Sequence, residues 1–410
     1  MAASAPPATV LCDIHQRQRA DGPAAILAIG VAYPKNCIHQ DEFTDWYFRV
    51  TKSDHLTKLK AKMKKICTDL IQLSEKSGIK KRHFYHTEEM IGGHPEIIDR
   101  AAPSLGARQG ITAEAAHNLA AEAASRAIMA WGRPAAAITH LVVCTNAGVH
   151  EPGADLRLAG LLGLLPTVHR TLLYLHGCSA GLAALRIAKD IAENNRGSRV
   201  LVACTQANIL LFGPPDDAHI VIMALFGDGA GAVIVGADPA GPVERPVFHM
   251  VSASQTTLPG TDHSVVMNLT ESGLTNNHLS VEVPMLVQGS IERCLVDTLG
   301  PLGLPNVSDG GWNGLFWAVH PGGRAILDSY EAALGLEPGK LAASRHVLSE
   351  YGNMSGATVI FVLDEIRRRR QDDSDQEGKD CEWGIMSALG PGLTTETVVL
   401  HATSSKDEKY

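Results

Sequence analysis

The chain has 410 residues, 45% of them hydrophobic and 20% charged, which is enough for two domains or one large duplicated one. A formal net charge of -8 leaves no basic face for nucleic acid, although a local lysine cluster can still hold an anionic ligand. The eight cysteines (12, 37, 67, 144, 178, 204, 294 and 381) contain no C-x-x-C pair and no His/Cys spacing suited to zinc, so no metal is expected and a reducing compartment fits best.

Apolar runs at 25–30, 140–144, 200–204 and 232–235 predict strands, and they alternate with helical patterns at 113–132 and 181–194. Alternation of this kind predicts a layered α/β fold with a mixed or parallel sheet. The C-terminal part repeats the plan, with helices expected near 283–299 and 355–369 and strands near 314–319 and 383–388. The turn-forming stretch Pro239-Ala-Gly-Pro-Val-Glu-Arg-Pro246 marks the boundary between residues 1–245 and 246–410. Residues 367–380, four arginines followed by acids, are expected to form a solvated loop after a helix. The first residues lack the charged start and apolar core of a secretory signal, and no apolar run approaches the roughly 18 residues of a membrane span. A soluble, cytoplasmic protein is the expectation.

The sharpest chemical signal is Cys178, in Leu173-Tyr-Leu-His-Gly-Cys-Ser-Ala-Gly181. An apolar run ends at Gly177 where a helical pattern begins, so the thiol is placed on a strand-to-helix turn with the positive end of the helix dipole favouring the thiolate. A buried structural cysteine is the plain alternative. Gly177-Cys-Ser-Ala-Gly181 also matches G-x-S-x-G, which opens a reading of Ser179 as an esterase nucleophile, although no His-Gly-Gly oxyanion loop stands upstream. A cysteine nucleophile needs a base. His320, in Phe316-Trp-Ala-Val-His-Pro-Gly-Gly323, sits where a buried strand ends. Asn353, in Glu350-Tyr-Gly-Asn-Met-Ser-Gly356, opens an apolar helical run, where its amide can donate to an oxyanion or simply cap the helix. The segment 226–236, Phe-Gly-Asp-Gly-Ala-Gly-Ala-Val-Ile-Val-Gly, has the look of a phosphate loop, but its glycines precede a strand and the lysine is missing. Tight turning beside a pocket explains those glycines better.

Together, Gly177-Cys178, His320-Pro-Gly-Gly and Tyr351-Gly-Asn353-Met-Ser resemble the signature of plant type III polyketide synthases, the chalcone synthase superfamily. The resemblance covers almost the whole chain, through Trp131-Gly-Arg-Pro, Pro152-Gly-Ala-Asp-Leu-Arg-Leu and Gly390-Pro-Gly-Leu-Thr-Thr-Glu-Thr, and is closest to the grass curcuminoid and alkylresorcinol synthase branch. It implies a thiolase-like fold of two pseudo-symmetric halves in an α/β/α/β/α arrangement, with the nucleophilic cysteine in the first half and the histidine and asparagine in the second. It also implies a homodimer and a triad of Cys178, His320 and Asn353. The substrates it implies are an acyl-CoA starter and malonyl-CoA, with no cofactor beyond these esters. Lys62, Lys65, Lys76 and Ala325 fall at coenzyme A positions, and Phe226 at a gatekeeper position. Asn146, Gln206, Leu211, Met267, Asn276 and Ser355 fall at pocket positions. Asn146 stands where chalcone synthases carry threonine, Met267 where they carry glycine, and Asn276 or Asn277 where they carry a second gatekeeper phenylalanine. The product implied is an alkylresorcinol, a pyrone or a curcuminoid. A catalytically weakened paralogue that mainly dimerises is the competing expectation.

Overall fold

The computed structural model describes residues 16–67, 77–303, 311–372 and 381–403. Thirteen strands lie among them: β1 (Ala25–Ala32), β2 (Cys37–His39), β3 (Lys81–His83), β4 (His140–Thr145), β5 (His169–Tyr174), β6 (Arg199–Gln206), β7 (Gly229–Gly236), β8 (Phe248–Thr257), β9 (Val265–Thr270), β10 (Gly273–Leu279), β11 (Phe316–Val319), β12 (Trp383–Gly390) and β13 (Thr394–Ala402). Nine form one sheet in the order β11-β12-β13-β8-β1-β7-β6-β4-β5.

The pairing directions expose an internal duplication. From the β1–β8 contact outward, β1 pairs antiparallel with β7 and β7 antiparallel with β6, after which β6–β4 and β4–β5 are parallel. On the other side β8–β13 and β13–β12 are antiparallel and β12–β11 is parallel. Among the described residues the C-terminal strands therefore repeat the N-terminal order, except that β5 has no counterpart. Only two residue pairs, Ala25–His249 and Ile26–Phe248, join the halves across β1 and β8.

Strand side chains alternate faces with a period of two, and the core shows which layer each face meets. Val200, Val202 and Cys204 of β6 and Val398 and Leu400 of β13 pack inward on two buried helices, Ala180–Asn194 and Thr358–Gln371. The intervening Leu201 and Ala203 face outward onto the helix Leu105–Trp131, while Val399 faces outward onto the helices Val283–Leu299 and Arg324–Leu334. The layering is thus α/β/α/β/α, as expected for a thiolase-like fold. At the centre the first of these helices touches, backbone to backbone, the turn Ser355–Ala357 that leads into the second, because a side chain on Gly181 would overlap the Gly356 carbonyl. That contact brings the segment after Cys178 against the segment after Asn353.

A further apolar cluster lies beside this sandwich. It joins Phe43 and Tyr47 of the helix Gln40–Val50, Met63 of the helix Thr57–Cys67, and Ile220 and Met223 of the helix His219–Leu225.

The structure corrects two expectations. Residues 367–371 are not a loop but the last turn of Thr358–Gln371, where Arg367, Arg368 and Arg369 pair with Asp364 and Glu365 one turn back. The remainder of the expected loop, 373–380, falls outside the described residues. The glycines of 227–231 do not supply unusual turning either, since none has positive φ. Gly229 and Gly231 instead make room for Met354 and Ile360, so β7 lies close against the Asn353 turn and the helix behind it.

Candidate active site

Cys178 sits at a forced turn. β5 ends at Tyr174, Leu175 and Gly177 adopt left-handed φ of 55° and 72°, and the short turn Gly177–Ser179 runs into the helix Ala180–Asn194. Only glycine suits position 177, where a side chain would both strain the backbone and overlap Pro391. The Gly177 N–H donates to Asn146 Oδ1 at 3.1 Å, which ties the elbow to the end of β4. We expect Gly177→Ala to destabilise the fold by about 1–3 kcal/mol from the φ alone, and to lower product formation at least about tenfold because Cys178 is displaced. Thermal melting and turnover measured together check this.

Ser179 does not behave as a nucleophile. It is buried and packed against Gly390, and among the described residues its side chain has no hydrogen bond to a histidine. The esterase reading is thereby overturned.

His320 follows β11. Its backbone N–H donates to the Ser387 carbonyl of β12 at 2.8 Å, and its carbonyl accepts from Gly322 N–H at 3.0 Å, which closes the Pro-Gly-Gly turn. The ring is buried, and neither nitrogen has a hydrogen-bond partner among the described residues. Burial lowers its pKa to about 4, so at neutral pH the imidazole is uncharged and can both accept and donate a proton.

Asn353 is placed by its backbone. It bridges to Phe226, donates its N–H to the Leu225 carbonyl at 2.9 Å, and accepts from Gly227 N–H at 3.0 Å. Its side chain works in two directions. Oδ1 accepts from Ser355 N–H at 2.8 Å, a capping bond, while Nδ2 lies 3.1 Å from the Gly322 carbonyl and 3.9 Å from Cys178 Sγ. The capping and catalytic readings therefore apply to opposite ends of one amide.

The Cys178 thiol feels opposing influences. Burial raises its pKa, and hydrogen bonds from Ser355 and then Asn353 lower it. The dominant effect thus runs against the thiolate that the helix dipole favours, although the residue keeps part of its surface open. A charged sulfur here needs a proton acceptor, and His320 is uncharged and without a hydrogen-bond partner among the described residues.

Asn146, Gln206 and Ser355 come together beside the Gly177 turn. Asn146 Nδ2 donates to Ser355 Oγ at 2.8 Å and to Gln206 Oε1 at 3.2 Å. Phe226, Leu211 and Met267 share the apolar cluster beside the sandwich. Arg82, fully buried, donates to the Phe226 and Met223 carbonyls at 2.7 Å each and so holds the backbone at Phe226. In the β9–β10 hairpin Asn276 is the register partner of Met267.

The coenzyme A candidates lie on two helices. Lys62 and Lys65 are exposed on the helix Thr57–Cys67, with Lys62 paired to Asp217 at 2.5 Å. Ala325 is exposed in the first turn of Arg324–Leu334, just after the His320 turn. Lys76 lies outside the described residues.

Sequence reasoning missed Asn208 and Asp228. Gln206 Nε2 donates to Asn208 Oδ1 at 3.0 Å, and Asp228 Oδ1 accepts from Asn208 N and Nδ2 at 2.7 and 2.8 Å. A lone acid within the apolar run 226–236 was the available signal for Asp228. Among the described residues no helix is long and apolar enough to cross a membrane.

Comparison with known proteins agrees with this geometry. Residues 11–239 match the family described as chalcone and stilbene synthases, N-terminal domain, and residues 249–404 match its C-terminal domain. The chain is also 57% identical to bisdemethoxycurcumin synthase of Oryza sativa subsp. japonica over 397 residues, which is 96% of each chain.

Proposed function

Because the chain belongs to the chalcone and stilbene synthase family and is a type III polyketide synthase, we propose that Cys178, His320 and Asn353 carry its decarboxylative condensation. The Cys178 proton passes to His320, whose ring is neutral and unpartnered. Burial opposes either charge alone, so thiolate and imidazolium form together. The sulfur attacks the starter thioester, an S–C bond forms to the acyl group, and coenzyme A leaves as a thiolate that takes up the proton. Malonyl-CoA then loses carbon dioxide, and the electron pair left behind is held as an enolate by hydrogen bonds from His320 and from Asn353 Nδ2. Its carbon attacks the acyl carbonyl, a C–C bond forms, and Cys178 leaves as thiolate.

The observation that carries this reading is the Asn353 amide, which reaches from the Cys178 sulfur to the turn that holds His320. Lys62, Lys65, Lys76 and Ala325 are assigned to coenzyme A, with Lys62 exchanging Asp217 for a phosphate. Phe226, Leu211 and Met267 supply apolar walls, while Asn146, Gln206, Asn276 and Ser355 are the polar pocket positions. No cofactor beyond the coenzyme A esters is assigned, and the compartment assigned is the cytoplasm. The two halves divide at residues 245 and 246. A homodimer would cover the outer edge of β5, which is exposed at 169–171 and flanked by exposed Leu156, Leu161, Leu165 and Leu175.

The product class proposed is a curcuminoid, supported by the identity to the rice enzyme over nearly the whole chain. Labelled malonyl-CoA incubated with coumaroyl, feruloyl and long-chain acyl starters tests it by mass spectrometry. A labelled diarylheptanoid from the aromatic starters is expected. Resorcinols or pyrones from acyl starters would move the product class, and no product from folded protein would favour the weakened paralogue.

A further inference from the structure

The helix His219–Leu225 ends just before Phe226, and the last four carbonyls of a helix have no partner within it. Here each one is met. Ile222 accepts from the Phe226 N–H at 3.0 Å, and Leu225 accepts from the Asn353 N–H at 2.9 Å. Ala224 accepts from Gln40 Nε2 at 2.8 Å. Met223 and, beyond the helix, Phe226 both accept from one atom, Arg82 Nη1. With its Nε2 on a carbonyl, Gln40 must present Oε1 to Arg82 Nε, which can only donate, and that bond is 2.9 Å.

Arg82 stands on β3 and is fully buried. Burial lowers its pKa to about 10, so it stays charged at neutral pH. That charge faces the negative end of the helix and the Phe43 ring, whose centre is 3.9 Å from the guanidinium carbon. The aliphatic stem lies against the backbone that leads into Asn353. Gly352 has a left-handed φ of 69°, and a side chain there would overlap both Arg82 Cδ and the Leu225 carbonyl. The head of Arg82 thus fixes carbonyls on both sides of Leu225, to which Asn353 is bonded, while its stem braces the residue before Asn353. Gly227 N–H closes this frame on the Asn353 carbonyl at 3.0 Å.

We propose that Arg82, oriented by Gln40, is a positioning residue for Asn353. It holds the helix end from which the Asn353 backbone hangs, and so sets where Asn353 Nδ2 meets the enolate oxygen. The inference rests on Asn353 being the enolate donor, and adds that its aim is set from β3 by a buried cation.

The test is decarboxylation of labelled malonyl-CoA without a starter, read as acetyl-CoA by chromatography and expressed per site counted by iodoacetamide alkylation of Cys178. Arg82→Lys keeps the charge but loses the planar fork that serves two carbonyls and Gln40 at once. It should lower kcat about tenfold to a hundredfold, as for a donor misplaced by about 1 Å, with KM for malonyl-CoA within about twofold of wild type. Gln40→Met, which removes the partner of Arg82 Nε, should act the same way by less. In an Asn353→Ala background, itself about a hundredfold to a thousandfold slower, neither substitution should cost more than about twofold further. A larger loss that persists there would show a general structural role and overturn the inference. So would a wild-type kcat in both Arg82→Lys and Gln40→Met. If Arg82→Lys fails to fold, Gln40→Met in the two backgrounds decides alone. Decarboxylation at the wild-type rate in Asn353→Ala would remove the enolate-donor reading and this inference with it, whereas a slow Asn353→Ala beside an unaffected Arg82→Lys and Gln40→Met removes the inference alone.

Discussion

Cys178→Ala lowers formation of labelled polyketide by at least about a thousandfold, because the covalent route has no second nucleophile to fall back on. Ser179, the nearest hydroxyl in sequence, is packed under Gly390 and cannot substitute. The loss should be selective. Decarboxylation of malonyl-CoA needs donors for the enolate oxygen and not the sulfur, and Asn353 keeps its bonds to Gly322 and Ser355 without Cys178. Acetyl-CoA should therefore still appear from malonyl-CoA in Cys178→Ala while the acyl-enzyme mass disappears. The measurement is intact-protein mass spectrometry with a starter ester, alongside chromatography of the coenzyme A esters. Polyketide at wild-type levels would remove Cys178 from the mechanism.

Asn353→Asp cuts the reaction at the complementary point. The substitution is nearly isosteric, and one carboxylate oxygen still accepts the Ser355 N–H, so the turn is retained. The other oxygen replaces Nδ2 and faces the Gly322 carbonyl, an acceptor against an acceptor, with the sulfur beyond it. The enolate loses a donor and meets a negative charge. Losing one such donor costs about a hundredfold to a thousandfold, and here both decarboxylation and condensation should fall by that amount. Unchanged circular dichroism would exclude unfolding as the cause. If decarboxylation in Asn353→Asp proceeds at the wild-type rate, the amide is not an enolate donor. The two variants thus separate the step that needs sulfur from the step that needs the amide.

Much of the architecture could be read in the chain because it depends on local periodicity. β6 and β7 are buried on both faces along their whole length, and their unbroken apolar runs could be read directly as strands. Only the end of β5 that runs into Cys178 could be read; its first half could not, since it is exposed and its outer edge pairs with no strand among the described residues. The helix Thr358–Gln371 runs further than its composition predicts, because Asp364 and Glu365 neutralise the arginines a turn away.

At the site, residue type was enough to select Cys178, His320 and Asn353, since few side chains can serve as nucleophile, base and amide donor beside turn-forming glycines. Sequence alone singled out those three residues and the α/β plan. It could not determine where the two ends of the Asn353 amide point, nor that burial opposes the Cys178 thiolate, nor that Asn208 and Asp228 are bonded in the interior behind Gln206. These were decided by contacts between residues distant in the chain, Asn146 with Ser355 and Cys178 with Asn353. The physical reason is that periodicity is a property of neighbours. The direction of a buried hydrogen bond, and the desolvation of the group that makes it, depend on whichever segments the fold brings together.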